Sequence, residues 1–204
     1  MTKRYGAVVR EAKPSAVRDR ILATASKLFY RNGVHAVGVD LVVAESGIAK
    51  TSLYRHFGSK DGLVAAFLES EDADFWRQWD AIAERHSDGP DAELAAYLDW
   101  MDVRLRRPGY RGCPQLNVIA ELTDLKHPAR KIATGHKERM RARFTDLATR
   151  MKLPQPEHVG AQLALIFDGA FMSAPLGAGE AMADTLRETV AAVLKAGGAK
   201  PRKP

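Results

Sequence analysis

Two short pieces, Val39–Ser46 and Lys50–Phe57, joined by Gly47-Ile48-Ala49 and closed by Gly58-Ser59, constrain this chain more than any other feature. Helices of about eight residues do not hold alone in water, where about 12–15 residues are already marginal. Each piece must therefore be packed on its neighbours. A link this short makes the two helices cross steeply, and the turn needs a residue that tolerates positive φ, flanked by apolar residues. Gly47 meets the first requirement, and Val42, Val43, Ile48 and Leu53 meet the second. Lys50, Thr51, Ser52, Tyr54, Arg55 and His56 are left as a polar set around the second helix. Two readings follow: a helical hairpin with a solvated outer face, or a helix-turn-helix. In the latter the second helix lies in the major groove of DNA, with Lys50, Thr51 and Ser52 at base edges.

Charge bears on that choice. Residues 1–60 hold 11 Lys/Arg against 4 Asp/Glu, whereas residues 61–204 hold 20 against 21, so the whole net charge of +6 sits at one end. A compact basic segment on a near-neutral body points to a localised polyanion-binding surface. A solvated basic arm carrying Lys3, Arg4, Arg10 and Lys13 is the other source of the same excess.

The rest of the chain reads as helix throughout. Ser15 to Arg31 carries Val17, Ile21, Ala25, Leu28 and Phe29 at helical spacing and stops at Asn32-Gly33. A long amphipathic stretch, Lys60 to Arg85, samples one broad face with Leu63, Val64, Phe67, Leu68, Phe75, Trp76, Trp79 and Ile82. Further helices are expected at Asp91–Arg106, Pro114–Thr123, Ala129–Met151, Glu157–Met172 and Glu180–Lys195, separated by Gly- and Pro-bearing breaks. No segment alternates with the β-branched and aromatic bias of a strand. The expected fold is all-α, about nine helices. A basic flexible arm spans 1–14, a three-helix head 15–60, a larger helical body 61–196 and a flexible tail 197–204.

The strings I-L-A-T-A-S-K-L-F-Y-R-N-G and E-S-G-I-A-K-T-S-L-Y-R-H-F-G-S-K-D-G-L, within residues 18–63, resemble the N-terminal domain of TetR-family transcriptional regulators. By position, the resemblance makes Lys50, Thr51 and Ser52 candidates for base or nearby phosphate contacts, with Arg55 beside them on the same helix. It makes Tyr54 and His56 candidates for DNA-backbone contacts, Phe57 a core residue, and Lys60 and Arg18 phosphate contacts, Lys60 from a helix N-terminus. Packing of the Tyr54 ring between helices is compatible with that role. Two positions depart from the family pattern: Gly38 and Ala49 stand where Thr and Ser caps are frequent, and a lost cap costs about 1 kcal/mol. Gly38 caps tolerably; Ala49 does not.

The resemblance implies that residues 61–196 form a ligand-binding and dimerisation body, and the looser strings R-G-C-P-Q-L-N-V-I-A-E-L, H-P-A-R and D-G-A fit it. Candidate pocket residues are Trp76, Trp79, Trp100, Met101, Cys113, Asn117, Phe144, Phe167 and Phe171, with Gln115 nearby; each aromatic is equally at home in an ordinary core. Cys113 is either a small buried hydrophobe or an oxidant-sensing thiol. His127, before Pro128, caps or anchors a turn. Val159, Leu163, Ile166, Phe167 and Ala170, with Ala183, Leu186, Val190, Val193 and Leu194, either pair the last two helices of two protomers or pack on their own body. A symmetric pair would place two recognition helices about 34–36 Å apart and favour a palindromic DNA operator.

One cysteine excludes an internal disulfide and a thiolate zinc cage, and the histidines lack metal-ligand spacing within a helix, so no metal or cofactor is implied. No nucleophile-turn or oxyanion-loop signature supports an enzyme. The first 20 residues lack the apolar stretch of a secretion signal, and no uninterrupted apolar run nears the roughly 18 residues of a membrane span. A cytoplasmic regulator with an unidentified small-molecule effector is the expectation.

Overall fold

In the computed structural model, which describes residues 16–87, 89–176 and 179–198, each helix begins or ends where the sequence changes its chemistry. The helices are α1 (Ala16–Asn32), α2 (Val39–Ser46), α3 (Lys50–Phe57), α4 (Lys60–Arg85), α5 (Pro90–Leu105), α6 (Pro114–Glu121), α7 (Pro128–Arg150), α8 (Pro156–Ser173) and α9 (Gly179–Ala196). A single 3₁₀ turn, Ala174–Leu176, follows α8. Pro90, Pro128 and Pro156, expected in breaks, instead occupy the first turns of α5, α7 and α8, and Pro114 opens α6 as expected. Proline is at home there, because its missing N–H is one the helix could not bond anyway. The expected arm at 1–14 lies outside the described residues, as do Asp88, Gly177 and Ala178 of the expected breaks and residues 199–204 of the expected tail.

Two apolar clusters are linked by α4 and α7, which contribute to both. Ile21, Ala25 and Phe29 form the buried stripe of α1 and pack with Val42, Leu53, Leu63, Val64, Phe67 and Leu68; the Phe29 and Phe67 rings lie 5.8 Å apart. Val118 of α6 and Leu122 just after it, with Ala129 and Ala133 of α7, join the same cluster, so the head rests on the body. The second cluster gathers Phe75, Trp76, Trp79, Tyr97, Met101, Phe144, Phe167 and Phe171 from α4, α5, α7 and α8. The 26 residues of α4, about 39 Å at 1.5 Å per residue, thus run from the head core into the body core.

By length and composition alone, Pro156–Leu176 is long and apolar enough to cross a membrane, although the sequence shows no uninterrupted run. Here it is a packed helix: Leu163, Phe167 and Phe171 are buried in the body core, and α7 lies close alongside. Gly160 permits that approach, since a Cβ there would meet the Thr145 backbone N at 2.6 Å and Cα at 2.8 Å. Because those atoms are backbone, Gly160→Ala is expected to destabilise the fold by about 1–3 kcal/mol through overpacking, despite alanine's better helix propensity. Chemical denaturation checks it; an unchanged or raised midpoint would contradict the contact.

Candidate nucleic-acid interface and ligand cavity

The turn between α2 and α3 has the geometry that the sequence requires. Gly47 stands at φ 64°, ψ 23°, its N–H bonded to the Val43 carbonyl, and a Cβ would come within 3.2 Å of Arg20. Leu53 is the one residue of α3 that is fully enclosed, which turns Thr51, Tyr54 and Arg55 outward; Ser52, His56 and Phe57 are half-buried. Phe57 therefore sits at the edge of the head core rather than inside it, where the Arg18 guanidinium lies 5.2 Å from its ring centre. Lys50 forms an ion pair with Asp40 of α2 at 2.7 Å, and the pairing holds its ammonium above the usual lysine range. Neither Gly38 nor Ala49 offers a side-chain cap, whereas the Ser59 hydroxyl accepts from the Gly62 N–H at 3.0 Å and opens α4 beside Lys60.

Side-chain hydrogen bonds also tie the head to the body. The Tyr30 hydroxyl of α1 donates to the Gly112 carbonyl at 3.0 Å and accepts from the Arg111 N–H at 2.9 Å, both in the α5–α6 loop. The His35 N–H donates to a Glu121 carboxylate oxygen at 2.9 Å, and its Nε2 donates to the Glu121 carbonyl at 2.7 Å. A Cβ at Gly33, which has φ 88°, would strike the same carboxylate. His127 caps α7 as expected, its Nδ1 accepting from the Ala129 N–H at 3.1 Å.

Among the described residues, the candidate pocket residues are spread across the body core and its margins. Trp79 stacks on Tyr97 at 3.9 Å and stands edge-on to Phe144, while Met101, Phe144 and Phe167 are fully enclosed. Trp76 borders an open groove between α4 and α7 with the Arg139 guanidinium 4.1 Å from its ring, and Trp100 donates to Gln78. Asn117 donates to the Arg111 carbonyl, bracing the α5–α6 loop.

Cys113 and Phe171 do line a cavity, together with Glu71, Phe75, Arg104, Tyr110 and Gln115. It adjoins a wider opening of about 300 Å³ that shares Glu71, Arg104 and Tyr110 and is bordered by Tyr30. Burial pushes the Glu71 carboxyl and the Tyr110 hydroxyl up, with Arg104 opposing both shifts. Arg104, Tyr110 and Glu71 were not anticipated from the sequence. A signal existed for Arg104, which falls three residues after Met101 on the buried stripe of α5 that also carries Leu94, Tyr97 and Leu98.

A basic three-helix head with an outward-facing second helix after an αL glycine, mounted on an all-helical body, defines a DNA-binding transcriptional regulator. Residues 21–67 match the family model described as bacterial regulatory proteins, tetR family. SCO4454, a TetR-family transcriptional regulator from Streptomyces coelicolor, is 31% identical with a TM-score of 0.83; the match covers 88% of this chain and 95% of that one. The HTH-type transcriptional repressor SCO4008 of the same organism is 26% identical over 192 residues, covering 87% of this chain and 92% of its own. The reduced form of NemR from E. coli, 20% identical with a TM-score of 0.76, shares the fold over 86% of this chain and 95% of that one. The chain belongs to the TetR family of transcriptional regulators, DNA-binding proteins that typically act as dimers and are not enzymes.

Proposed function

We propose that this protein is a cytoplasmic repressor that binds a palindromic operator as a homodimer and is released by a small molecule. The carrying observation is α3 itself: a short helix anchored by Leu53, turned outward after Gly47, within the segment that holds the chain's basic excess. Thr51 and Ser52 read base edges, and Lys50 contacts a base or a nearby phosphate. Tyr54, Arg55 and His56 contact the DNA backbone, and Arg18 and Lys60 hold phosphates. Residues 15–60 act as the DNA-reading head and 61–196 as the ligand-binding and dimerisation body.

The last two helices supply the dimer surface. Of the apolar residues on them, Val159, Leu163, Phe167, Ala170, Ala183, Leu186 and Val190 are buried within the protomer. The exposed apolar side is a different stripe along α8 and the following turn, Ala161, Leu165, Gly169, Met172 and Leu176, with Leu165 73% and Leu176 83% exposed. Its spacing of three and four residues makes it one continuous face, suited to pairing with its own copy.

Ligand release follows from the ties between head and body. Tyr30 borders the cavity and bonds the α5–α6 loop, so an occupant that displaces that loop acts directly on α1. The occupant need only prefer the DNA-incompetent arrangement; equal affinity for both would shift nothing.

A genomic-fragment selection with the purified protein at physiological salt tests the reading. The expected product is a palindrome bound at least about 10³-fold more tightly than its scrambled duplex. Lys60→Gln should then weaken all sequences alike, whereas Thr51→Ala and Ser52→Ala should change which bases are preferred. No enriched site, or equal losses across sequences for all three variants, would refute the assignment.

A further inference from the structure

We propose that the cavity enclosed by α4, α5, α6, α8 and the α5–α6 loop binds a small organic carboxylate, held by Arg104, Tyr110 and Gln115. The proposal rests on the ligand-responsive reading above and names the chemistry of the ligand. Among the described residues, the buried side-chain nitrogens and oxygens lacking a hydrogen-bond partner are Arg104 Nε, the Tyr110 hydroxyl and Gln115 Nε2. All three residues line this one cavity. Buried polar atoms are nearly always bonded; Arg104 reaches toward the Tyr110 hydroxyl without completing a hydrogen bond, so the three groups around this void can take a further partner.

The chemistry of that partner follows from the three groups. Arg104 Nε and Gln115 Nε2 only donate, and the Tyr110 hydroxyl can donate. The Gln115 side chain is 2% exposed, and its Oε1 is already engaged by the Cys113 thiol at 3.2 Å, leaving the amide nitrogen for the void. The Arg104 guanidinium is held between the Phe75 and Trp100 rings, 5.7 and 5.4 Å from their centres. Three convergent donors, one of them cationic, complement a group with several acceptor lone pairs and a negative charge.

Size and field agree. The inner space is about 10 Å³, enough for one water-sized group such as a carboxylate oxygen. It opens beside the 300 Å³ space bordered by Lys27, Tyr30, Arg107 and Pro108, where the body of the acid would lie. Lys27, Arg104 and Arg107 outnumber Glu71, the carboxyl on the same walls. Burial pushes the Glu71 carboxyl up, and the Arg104 guanidinium opposes that shift.

The test is calorimetric titration of the full chain at pH 7 with benzoate, phenylacetate and hexanoate, each paired with its own primary amide. At least one acid is expected to bind about 10-fold or more tightly than its amide, as befits a charge-assisted contact. Arg104→Gln should abolish that preference. Tyr110→Phe should weaken the acid several-fold while raising the melting temperature of the ligand-free protein by about 2–4 °C, because it removes an unpaired buried hydroxyl. Lys131→Gln, on the groove outside the cavity, should change neither. No preference for any acid over its amide, or a preference that survives Arg104→Gln, overturns the proposal. A lowered melting temperature for Tyr110→Phe with acid affinity unchanged would mean that the hydroxyl already has a partner and does not hold the acid, and also overturns the proposal.

Operator binding measured by anisotropy in the same samples separates this inference from the reading beneath it. Acid binding that leaves operator affinity unchanged upholds the site and removes ligand release by it. Operator release by compounds that show no acid preference does the reverse.

Discussion

Raising the salt concentration from 50 to 200 mM is expected to weaken operator binding by about 10³–10⁴-fold. Each phosphate neutralised by a lysine or arginine releases condensed counterions, giving a slope of about −0.9 per contact in log affinity against log salt. Arg18, Lys50, Arg55 and Lys60 cluster around α3 and the start of α4, so a dimer would set six to eight such cations against DNA, a slope of about −5 to −7. The lower value applies if Lys50 stays on Asp40, the upper if it transfers to phosphate. The pair is exposed, with Asp40 the more open partner at 83% and Lys50 at 50%, so solvent and salt screen it and a phosphate competes well. Asp40→Asn removes the competitor and a negative charge from the face that meets DNA. It is expected to bind the operator more tightly at low salt and to steepen the slope by up to about 2 per dimer. Anisotropy titrations over that salt range measure both. A wild-type slope shallower than about −2 would mean that these cations do not hold phosphates.

How far the sequence carried this result differs from place to place, for physical reasons. The α2–α3 turn was legible because Gly47 has one geometric job and its neighbours have few alternatives: the ends of α2, α3 and α4 fall at the expected residues. Periodicity placed Trp79 and Phe167 on apolar faces, and residue type made Met101 and Phe144 pocket candidates, but neither signal tells packing against a ligand from packing against each other, and in the structure they pack in one core. The same limit holds for α8, where the buried stripe through Leu163 and Phe167 reads more strongly than the exposed one through Leu165 and Met172. The ties Tyr30–Gly112 and His35–Glu121 join residues more than 80 positions apart and carry no local pattern. The cavity lay between these cases. Cys113, Gln115 and Phe171 were visible as neighbours of a pocket, while Arg104 and Tyr110, which give that pocket its polarity, come from the end of α5 and the loop beyond it.

Acidification from pH 7 to 5 is expected to cost each protomer about 2 kcal/mol of stability through His136 alone, and about 3 kcal/mol by pH 4. The ring is 3% exposed, against the faces or edges of Phe75 and Trp76 at 4.7 and 5.2 Å, and burial lowers its pKa to about 4. Asp72, 2.6 Å from Nδ1 and also accepting from the Trp76 indole, opposes that shift, as does Asp168 of α8 more weakly; the neighbouring Lys137 ammonium, bonded to Asp168, adds to it. The sign follows from which state takes the proton first. Above about pH 6.5 the imidazole is neutral folded and unfolded, and it contributes nothing. Below that value the unfolded chain binds a proton that the folded chain refuses until about pH 4, so stability falls across that window by about 1.4 kcal/mol per unit. A dimer carries two such rings, and the loss doubles. Urea midpoints at pH 7, 6 and 5 isolate the effect, because most carboxylates remain ionised there. His136→Gln can keep the hydrogen bond to Asp72 without a titrating ring, and its midpoints should be flatter over the same interval. Parallel pH slopes for the two proteins would show that His136 charges freely in the folded state, and that the contact between α4 and α7 is looser than its geometry implies.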